Sequence, residues 1–130
     1  MIKQDYGSKN CMAVVASAAF HIPIEEFESF CDDVQGPYSI KQFIRFGFSR
    51  GYFTGFYCFS YPKVHFEKII EVVDIRIMPA LVIVKSAYNE EEQHAVYWDG
   101  INIMDPDPAV QGYKNPKDYE ILAWYPIMKF

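Results

Sequence analysis

No apolar stretch in this sequence is long enough to cross a membrane. The longest runs, such as residues 78–84, fall far short of the roughly 20 residues that a spanning helix needs. The first residues turn polar before an apolar segment typical of a signal peptide can develop. We therefore expect no membrane partner and a cytoplasmic location.

Basic clusters and close pairs of metal ligands are also missing. The 12 Lys and Arg residues are scattered, and together with 17 Asp and Glu residues they give a net charge of −5. A surface that binds nucleic-acid phosphates needs clustered Lys and Arg residues and a positive charge, so nucleic acid is not an expected partner. Neither a C-x-x-C nor an H-x-x-x-H spacing occurs, so we expect no metal and no other cofactor.

Cysteine is scarce in the sequence. Cys11, Cys31 and Cys58 are an odd number at wide spacing, which argues against a disulfide framework and favours reduced thiols. A cysteine in an apolar segment is usually a small buried hydrophobe, and Cys31 and Cys58 fit that interpretation. Cys11 differs because of the residues that surround it.

The sequence does contain enough apolar material for one folded domain. Hydrophobic residues make up 51% and aromatic residues 18% of the 130 positions, which is typical of a chain that closes its own core. No repeat, linker or charge block divides it. We therefore expect a single domain over residues 1–130.

The order of local patterns predicts helices first and an antiparallel sheet after them. Helices are expected over 11–20, after Pro23, and after Ser39, where Gln42 completes a capping box. The second half is rich in β-formers. Strands are expected at Tyr52–Cys58, Ala80–Val84, Gln93–Trp98, Ile101–Asp105 and Tyr119–Tyr125, with a short helix around Phe66–Val73. This order is α+β, with N-terminal helices packed on a C-terminal antiparallel β-sheet.

A β-hairpin is predicted around Asp99 and Gly100. Asp-Gly between two β segments is a strong signal for a two-residue type I′ turn, and such a turn fixes the register of the strands that it joins. With these two residues as the loop, His94 lies directly opposite Asp105. Residues in that relation point to one face, with Cβ atoms about 4.5 to 5.5 Å apart.

This register brings an imidazole and a carboxylate together. Asp105 is expected to hold the His94 ring in one tautomer and to stabilise its protonated form, as the third member of a nucleophile, base and orienter triad does. Asn102 is the alternative orienter. The predicted register directs it to the opposite face, and only a bulge would bring it to His94.

Cys11 stands at the predicted start of the first helix, directly after the N-cap candidate Asn10. The helix dipole and a nearby imidazolium both favour a thiolate there. Gln4 lies upstream of Cys11, and its side-chain amide could join the Cys11 backbone N–H in donating to an oxyanion. A nucleophile, a base, an orienter and an oxyanion donor together predict acyl-transfer chemistry.

The same residues resemble the papain-like superfamily, and within it the bacteriocin-processing family that cleaves double-glycine leader peptides. The segment QDYGSKNCMA is similar to that family's Gln, loop, Cys and small-residue helix, and HAVYWDGINIMDP is similar to its His-strand-turn-strand-Asp-Pro segment. The resemblance covers nearly the whole chain. It implies a papain-like fold and a cysteine peptidase acting on a peptide or protein substrate, in which the nucleophile is Cys11, the general base His94, the orienter Asp105 and the oxyanion donor Gln4.

Two departures from that family's pattern bear on activity. Met12 stands where the family usually has Gly, and the interval from Gln4 to Cys11 is one residue longer than usual. The leading hypothesis is a cysteine peptidase or related amide hydrolase. The alternatives are a papain-like binding or inhibitory module without turnover, and an acyltransferase or deamidase that uses the same site.

Overall fold

The computed structural model describes residues 1, 3–4, 9–55, 57–58, 78–88 and 92–130. Within them the chain forms three α-helices, six β-strands and one 3₁₀ turn. The helices come first, and all the strand pairs are antiparallel. The α+β class expected from the sequence is confirmed. In this part of the chain, no helix combines the length and the apolar character that spanning a membrane requires.

The three helices follow the signals that the sequence offers. α1 is Cys11–Phe20, α2 is Ile24–Cys31 and α3 is Ile40–Ser49. The predicted capping box of α3 is present, because Ser39 Oγ accepts from the Gln42 N–H at 3.1 Å and Gln42 Oε1 accepts from the Ser39 N–H at 2.7 Å. These bonds satisfy two backbone donors where the helix begins.

The strands form one sheet in which the strand carrying His94 is flanked on both sides. Their order is β1-β6-β3-β4-β5, and β2 also pairs with β6. The strands are β1 Tyr52–Thr54, β2 Tyr57–Cys58, β3 Ala80–Lys85, β4 Gln93–Trp98, β5 Ile103–Met104 and β6 Ile121–Lys129. His94 lies at the start of β4, directly opposite Val84 of β3.

The main hydrophobic core lies between the helices and one face of the sheet. Alternate residues of a strand point to opposite faces, so β3 and β4 contribute to two separate clusters. The helix-side cluster includes Val15, Phe20, Phe27, Phe43, Phe46, Leu81, Ala95 and Tyr125. The cluster on the other face includes Val82, Val96, Trp98, Ile103 and Trp124. α1 packs against β4, which brings the start of the helix beside the strand that carries His94.

The hairpin register differs from the predicted one. A two-residue turn would pair Trp98 with Ile101, whereas the structure pairs Trp98 with Ile103 and leaves 99–102 as the loop. The strand predicted from Ile101 to Asp105 therefore shortens to β5. The direct pairing of His94 with Asp105 was wrong, since the ladder ends before Asp105 is reached.

The Asp99 side chain explains the longer loop. Its Oδ1 atom accepts hydrogen bonds from the backbone N–H groups of Ile101 and Asn102, at 2.7 and 2.8 Å. A carboxylate that binds the backbone two and three residues further on stabilises its own turn and competes with a tight hairpin. The Asp-Gly signal located the turn correctly but not its length.

Two other strand predictions need correction. The strand expected from Tyr52 to Cys58 is divided into β1 and β2, and Gly55 between them donates its N–H to the Pro126 carbonyl at 2.8 Å. The last strand begins at Ile121 rather than Tyr119, because Tyr119 ends a 3₁₀ turn. The helix expected around 66–73 lies outside the described residues.

Candidate active site

α1 places Cys11 at its first residue, with Asn10 in the N-cap position. The Asn10 carbonyl accepts hydrogen bonds from the N–H groups of Ala13 and Val14, at 3.0 and 3.2 Å. The Asn10 side chain makes no capping hydrogen bond, so the cap is made by its backbone. The thiol therefore lies at the positive end of a helix dipole.

Cys11 contacts the strand that carries His94. Its Sγ atom accepts a hydrogen bond from the Ala95 N–H at 3.5 Å. The Cys11 side chain also lies near enough to His94 to raise the pKa of the imidazole. Packing of α1 on β4 accounts for the contact with Ala95.

Met12 packs away from the site and into the core. It is 6% exposed and belongs to the helix-side cluster, together with Val15 and Ala16. Successive residues on an α-helix are about 100° apart around its axis, so Met12 and Cys11 face different surroundings. The bulky residue at this position is therefore accommodated by the core.

His94 and Asp105 meet through a short hydrogen bond. The distance from His94 Nε2 to Asp105 Oδ1 is 2.6 Å. The observed register differs from the predicted one by two residues. Strand side chains alternate between faces with a period of two, so a two-residue difference leaves each side chain on its predicted face. Diagonal neighbours across a strand pair remain within reach of long side chains. The contact expected from the sequence is therefore present, although the pairing behind it was wrong.

Asp105 is almost fully enclosed, and both of its carboxylate oxygens have donors. The residue is 2% exposed. Its Oδ1 atom accepts from the Asp107 N–H at 2.9 Å as well as from His94, and its Oδ2 atom accepts from the Tyr119 hydroxyl at 2.7 Å. A buried carboxylate is stable only when paired and hydrogen-bonded, and these contacts meet that requirement.

The contacts shift the pKa of both members of the pair. Burial acts to lower the pKa of His94, but hydrogen bonds to Asp105 and Cys11 and their negative charges outweigh it and raise the pKa to about 10. Burial acts to raise the pKa of Asp105, but His94, the Tyr119 hydroxyl and the Asp107 N–H lower it below its ordinary value. Together the two groups favour an imidazolium beside a carboxylate.

The N-terminal segment is attached to the chain on either side of the Asp105–Pro106 bond. The Gln4 N–H donates to the Pro106 carbonyl at 2.9 Å, and the Lys3 ammonium donates to the Asp105 carbonyl. These backbone contacts place Gln4 beside the segment that carries Asp105. Residues 5–8, which connect it to the Cys11 loop, lie outside the described residues.

Comparison with solved structures finds chains with a similar fold. Three chains match, and one is the crystal structure of the peptidase domain of Streptococcus ComA, a bi-functional ABC transporter involved in a quorum-sensing pathway. The TM-score is 0.67, the sequence identity is 15%, and the match covers 99% of this chain and 97% of that chain. The two share one fold. A scan against protein-family models and a search of curated proteins find no match.

Within the residues that the structure describes, no group of three or more His, Cys, Asp and Glu residues could hold a metal ion. The four residues singled out from the sequence instead occupy one region. Cys11 lies near enough to His94 to raise the pKa of its ring, Asp105 binds His94, and Gln4 is attached beside Asp105 through its backbone.

Sequence reasoning missed two residues that shape this region. Tyr119 is 14 positions from Asp105 and was assigned to a strand, so no local pattern indicated their contact. Gly36 packs so closely against the Lys9 carbonyl that an added Cβ would lie 2.4 Å from it. The position of Gly36 against the loop before Cys11 depends on the tertiary fold, so no local pattern indicated it.

Proposed function

We propose that this chain is a cysteine peptidase or related thiol amide hydrolase acting on a peptide or protein substrate. The single observation that carries the proposal is the position of the His94 ring between a thiol and a carboxylate. Its Nε2 atom is bound to Asp105 at 2.6 Å, which leaves Nδ1 as the ring nitrogen for Cys11. The fold shared with a peptidase domain supports the same reading.

In the proposed mechanism, Cys11 is the nucleophile and His94 is its base. Proton transfer from the thiol to the imidazole produces a thiolate and an imidazolium, and the raised pKa of His94 favours that protonated ring. The start of α1 and the Ala95 N–H also stabilise negative charge on sulfur. The thiolate then attacks the substrate carbonyl carbon and forms a C–S bond.

The tetrahedral intermediate places a negative charge on the carbonyl oxygen. In this proposal the Cys11 backbone N–H and the Gln4 side-chain amide donate to that oxygen. The imidazolium of His94 gives its proton to the leaving amine as the C–N bond breaks, which leaves a thioester on Cys11. Water, deprotonated by His94, then attacks the thioester carbon. The C–S bond breaks and the imidazolium returns the proton to sulfur, which releases a carboxylic acid and restores the thiol.

Asp105 has an orienting role in this scheme. Its carboxylate fixes the ring so that Nδ1 faces sulfur, and its charge stabilises the imidazolium formed in each half-reaction. A buried position strengthens that interaction, because the local dielectric constant is lower than in water. Asp105 is the better orienter than Asn102, which lies in the hairpin loop.

The first test is the reactivity of Cys11 toward iodoacetamide at about pH 6, where a free thiol is only about one part in 300 thiolate. We expect Cys11 to be alkylated at least about tenfold faster than Cys31, whose pKa is raised by burial and by Asp33. Peptide mass mapping assigns the label to each cysteine. His94→Ala should remove the difference, while His21→Asn, at the exposed end of α1, should keep it. Equal rates at the two thiols in the folded protein would refute the proposal.

The second test is turnover of a mixture of synthetic peptides with randomised sequences, followed by mass spectrometry of the products. Hydrolysis gives two fragments whose summed mass exceeds that of the intact peptide by one water. Acyl transfer gives an adduct with an amine, and deamidation converts a side-chain amide to an acid. Cys11→Ala should abolish whichever product is found, whereas Cys31→Ala should not. A biological effect that survived Cys11→Ala would instead favour a binding module.

A further inference from the structure

The two oxygens of the Asp105 carboxylate bind different side chains. Its Oδ1 atom binds the His94 ring at 2.6 Å and the Asp107 N–H at 2.9 Å. Its Oδ2 atom binds the Tyr119 hydroxyl at 2.7 Å. With the residue 2% exposed, the phenol supplies the hydrogen bond that water would supply at the surface.

Tyr119 is held in place by a folded turn of its own. The 3₁₀ turn Pro116–Asp118 ends at Tyr119, whose N–H donates to the Pro116 carbonyl at 3.2 Å. Asn115 caps this turn: its Oδ1 accepts from the Lys117 N–H at 3.0 Å, and its own N–H donates to Asp118 Oδ2 at 2.9 Å. β6 begins two residues later. The phenol is thus positioned by backbone structure on both sides.

We propose that Tyr119 is a positioning residue that acts through Asp105: its hydroxyl keeps the carboxylate ionised with Oδ1 directed at His94, and it thereby sets the acidic limit of Cys11 reactivity. This inference rests on the proposed function. It assigns Tyr119 no contact with substrate. Its effect is transmitted along the series Tyr119, Asp105, His94 and Cys11.

The charges that face Asp105 agree with this role. His94 and the Lys3 ammonium are the nearby cationic groups, the latter on the Asp105 carbonyl. Burial, the bond to Asp105 and the charges of Asp105, Asp118 and Asp107 all raise the pKa of Tyr119. The phenol therefore remains a protonated donor across the working range of pH. Its bond is one of the contacts that lower the pKa of Asp105.

The alkylation rate of Cys11 falls on the acidic side of its pH profile, and we call this part of the profile the acidic limb. Removal of the Tyr119 hydroxyl should move the acidic limb to higher pH. In Tyr119→Phe, the Asp105 carboxylate loses a charged hydrogen bond and becomes protonated more readily, so the imidazolium loses its partner sooner as pH falls. The alkylation rate of Cys11 by iodoacetamide is measured from about pH 4 to about pH 8 in both proteins, and we expect an upward shift on the order of one pH unit. Tyr113→Phe is the matched control, because Tyr113 is 66% exposed, and its limb should not move.

A double substitution separates this role from a merely structural one. Asn cannot titrate, so in an Asp105→Asn background the Tyr119→Phe change should produce no further shift of the limb. A shift that persists in that background would overturn the inference. So would a Tyr119→Phe profile identical to that of the parent protein.

A second variant keeps the test open if Tyr119→Phe fails to fold, as judged by circular dichroism. Replacement of Tyr119 by 3-fluorotyrosine retains the hydroxyl and makes it a stronger donor, so the limb should move to lower pH; an unchanged or raised limb would contradict the inference. The reactivity of Cys11 in the parent protein distinguishes failure of the proposed function from failure of the inference about Tyr119. If its Cys11 reacts no faster than Cys31, the proposed function fails and this inference with it, whereas a fast parent Cys11 with an unmoved limb in the variants removes the inference alone.

Discussion

His94 and Asp105 are hydrogen-bonded at 2.6 Å although they are not opposite each other in the hairpin. The strand ladder ends at Met104, and Asp105 reaches the ring diagonally. The carboxylate is then fixed by Tyr119 and by the Asp107 N–H. Its position therefore depends on the chain that follows the hairpin as much as on the hairpin itself.

The His94 and Asp105 pair should make stability depend on pH in a defined window. The folded pKa of His94, about 10, lies above its ordinary value of 6.5, so its contribution is fully present below about pH 6.5 and is lost as pH rises toward about 10. The folded pKa of Asp105 is lowered, so its contribution is present above its ordinary value of 3.8 and is lost as pH falls through the folded pKa.

Urea unfolding at a series of pH values measures this effect. Between the ordinary pKa of His94, 6.5, and its folded pKa, about 10, the free energy of unfolding of the parent should fall relative to that of His94→Ala. The slope should be at most about 1.4 kcal/mol per pH unit. The exposed His21→Asn variant should follow the parent curve. Parallel curves for the parent and His94→Ala would contradict the predicted coupling.

Asp105→Ala should destabilise the protein as well as inactivate the thiol. It leaves three partly buried donors without their acceptor: the His94 ring, the Tyr119 hydroxyl and the Asp107 N–H. Breaking a buried pair of this kind costs about 3–5 kcal/mol in free energy of unfolding. Asp105→Asn retains one acceptor oxygen and should cost less, while still reducing the alkylation rate of Cys11. Equal stability of the Ala variant and the parent in urea would refute this expectation.

Gly36→Ala should disturb the loop that leads into Cys11. Gly36 has φ +71°, and an added Cβ would lie 2.4 Å from the Lys9 carbonyl oxygen. Backbone strain and this clash together should cost about 2–4 kcal/mol, and displacement of Lys9 should lower the reactivity of Cys11.

Gly112→Ala is the matched control for this substitution. Gly112 has nearly the same φ, +70°, but nothing lies within 4 Å of an added Cβ. Its cost should be limited to the strain of a left-handed alanine, about 1–2 kcal/mol, with Cys11 reactivity unchanged. Similar costs for both variants in urea unfolding would show that the contact with Lys9 is unimportant.

Asp99→Ala should loosen the β4–β5 hairpin. It removes the acceptor for the N–H groups of Ile101 and Asn102, and we expect a loss of about 1–2 kcal/mol in free energy of unfolding. Because Asp105 follows β5 directly, the alkylation rate of Cys11 at about pH 6 should also fall. Asp99→Asn preserves a side-chain oxygen acceptor and should retain most of both quantities. An Ala variant with the parent's stability would show that the turn does not depend on this side chain.

The sequence predicts the fold well where the determining signal is local. α1 and β4 begin and end where their patterns indicate, and the Ser39 and Gln42 capping box forms as expected. Each of these depends on residues within a few positions of one another. The strand order and the packing of α1 on β4 could be expected only as a class, because no local pattern specifies which strands are neighbours.

The residues of the candidate site could be singled out from the sequence, whereas their geometry could not. Cys11, His94 and Asp105 are indicated by residue type and spacing, whereas the hairpin register depends on how the Asp99 carboxylate competes for backbone donors. A two-residue error preserved the face of His94 and of Asp105, so the contact survived it. Tyr119 was missed because its partnership with Asp105 exists only in the folded chain.

The hydrogen bond from Ala95 to Cys11 joins residues 84 positions apart. During synthesis the thiol would thus emerge long before the imidazole, the carboxylate and the phenol that surround it in the folded chain. Until His94, Asp105 and Tyr119 have all been synthesised, Cys11 lacks the groups that are proposed to activate it. Alkylation speed at this one atom should consequently report late folding, and in the proposed enzyme premature cleavage by half-made molecules would be avoided.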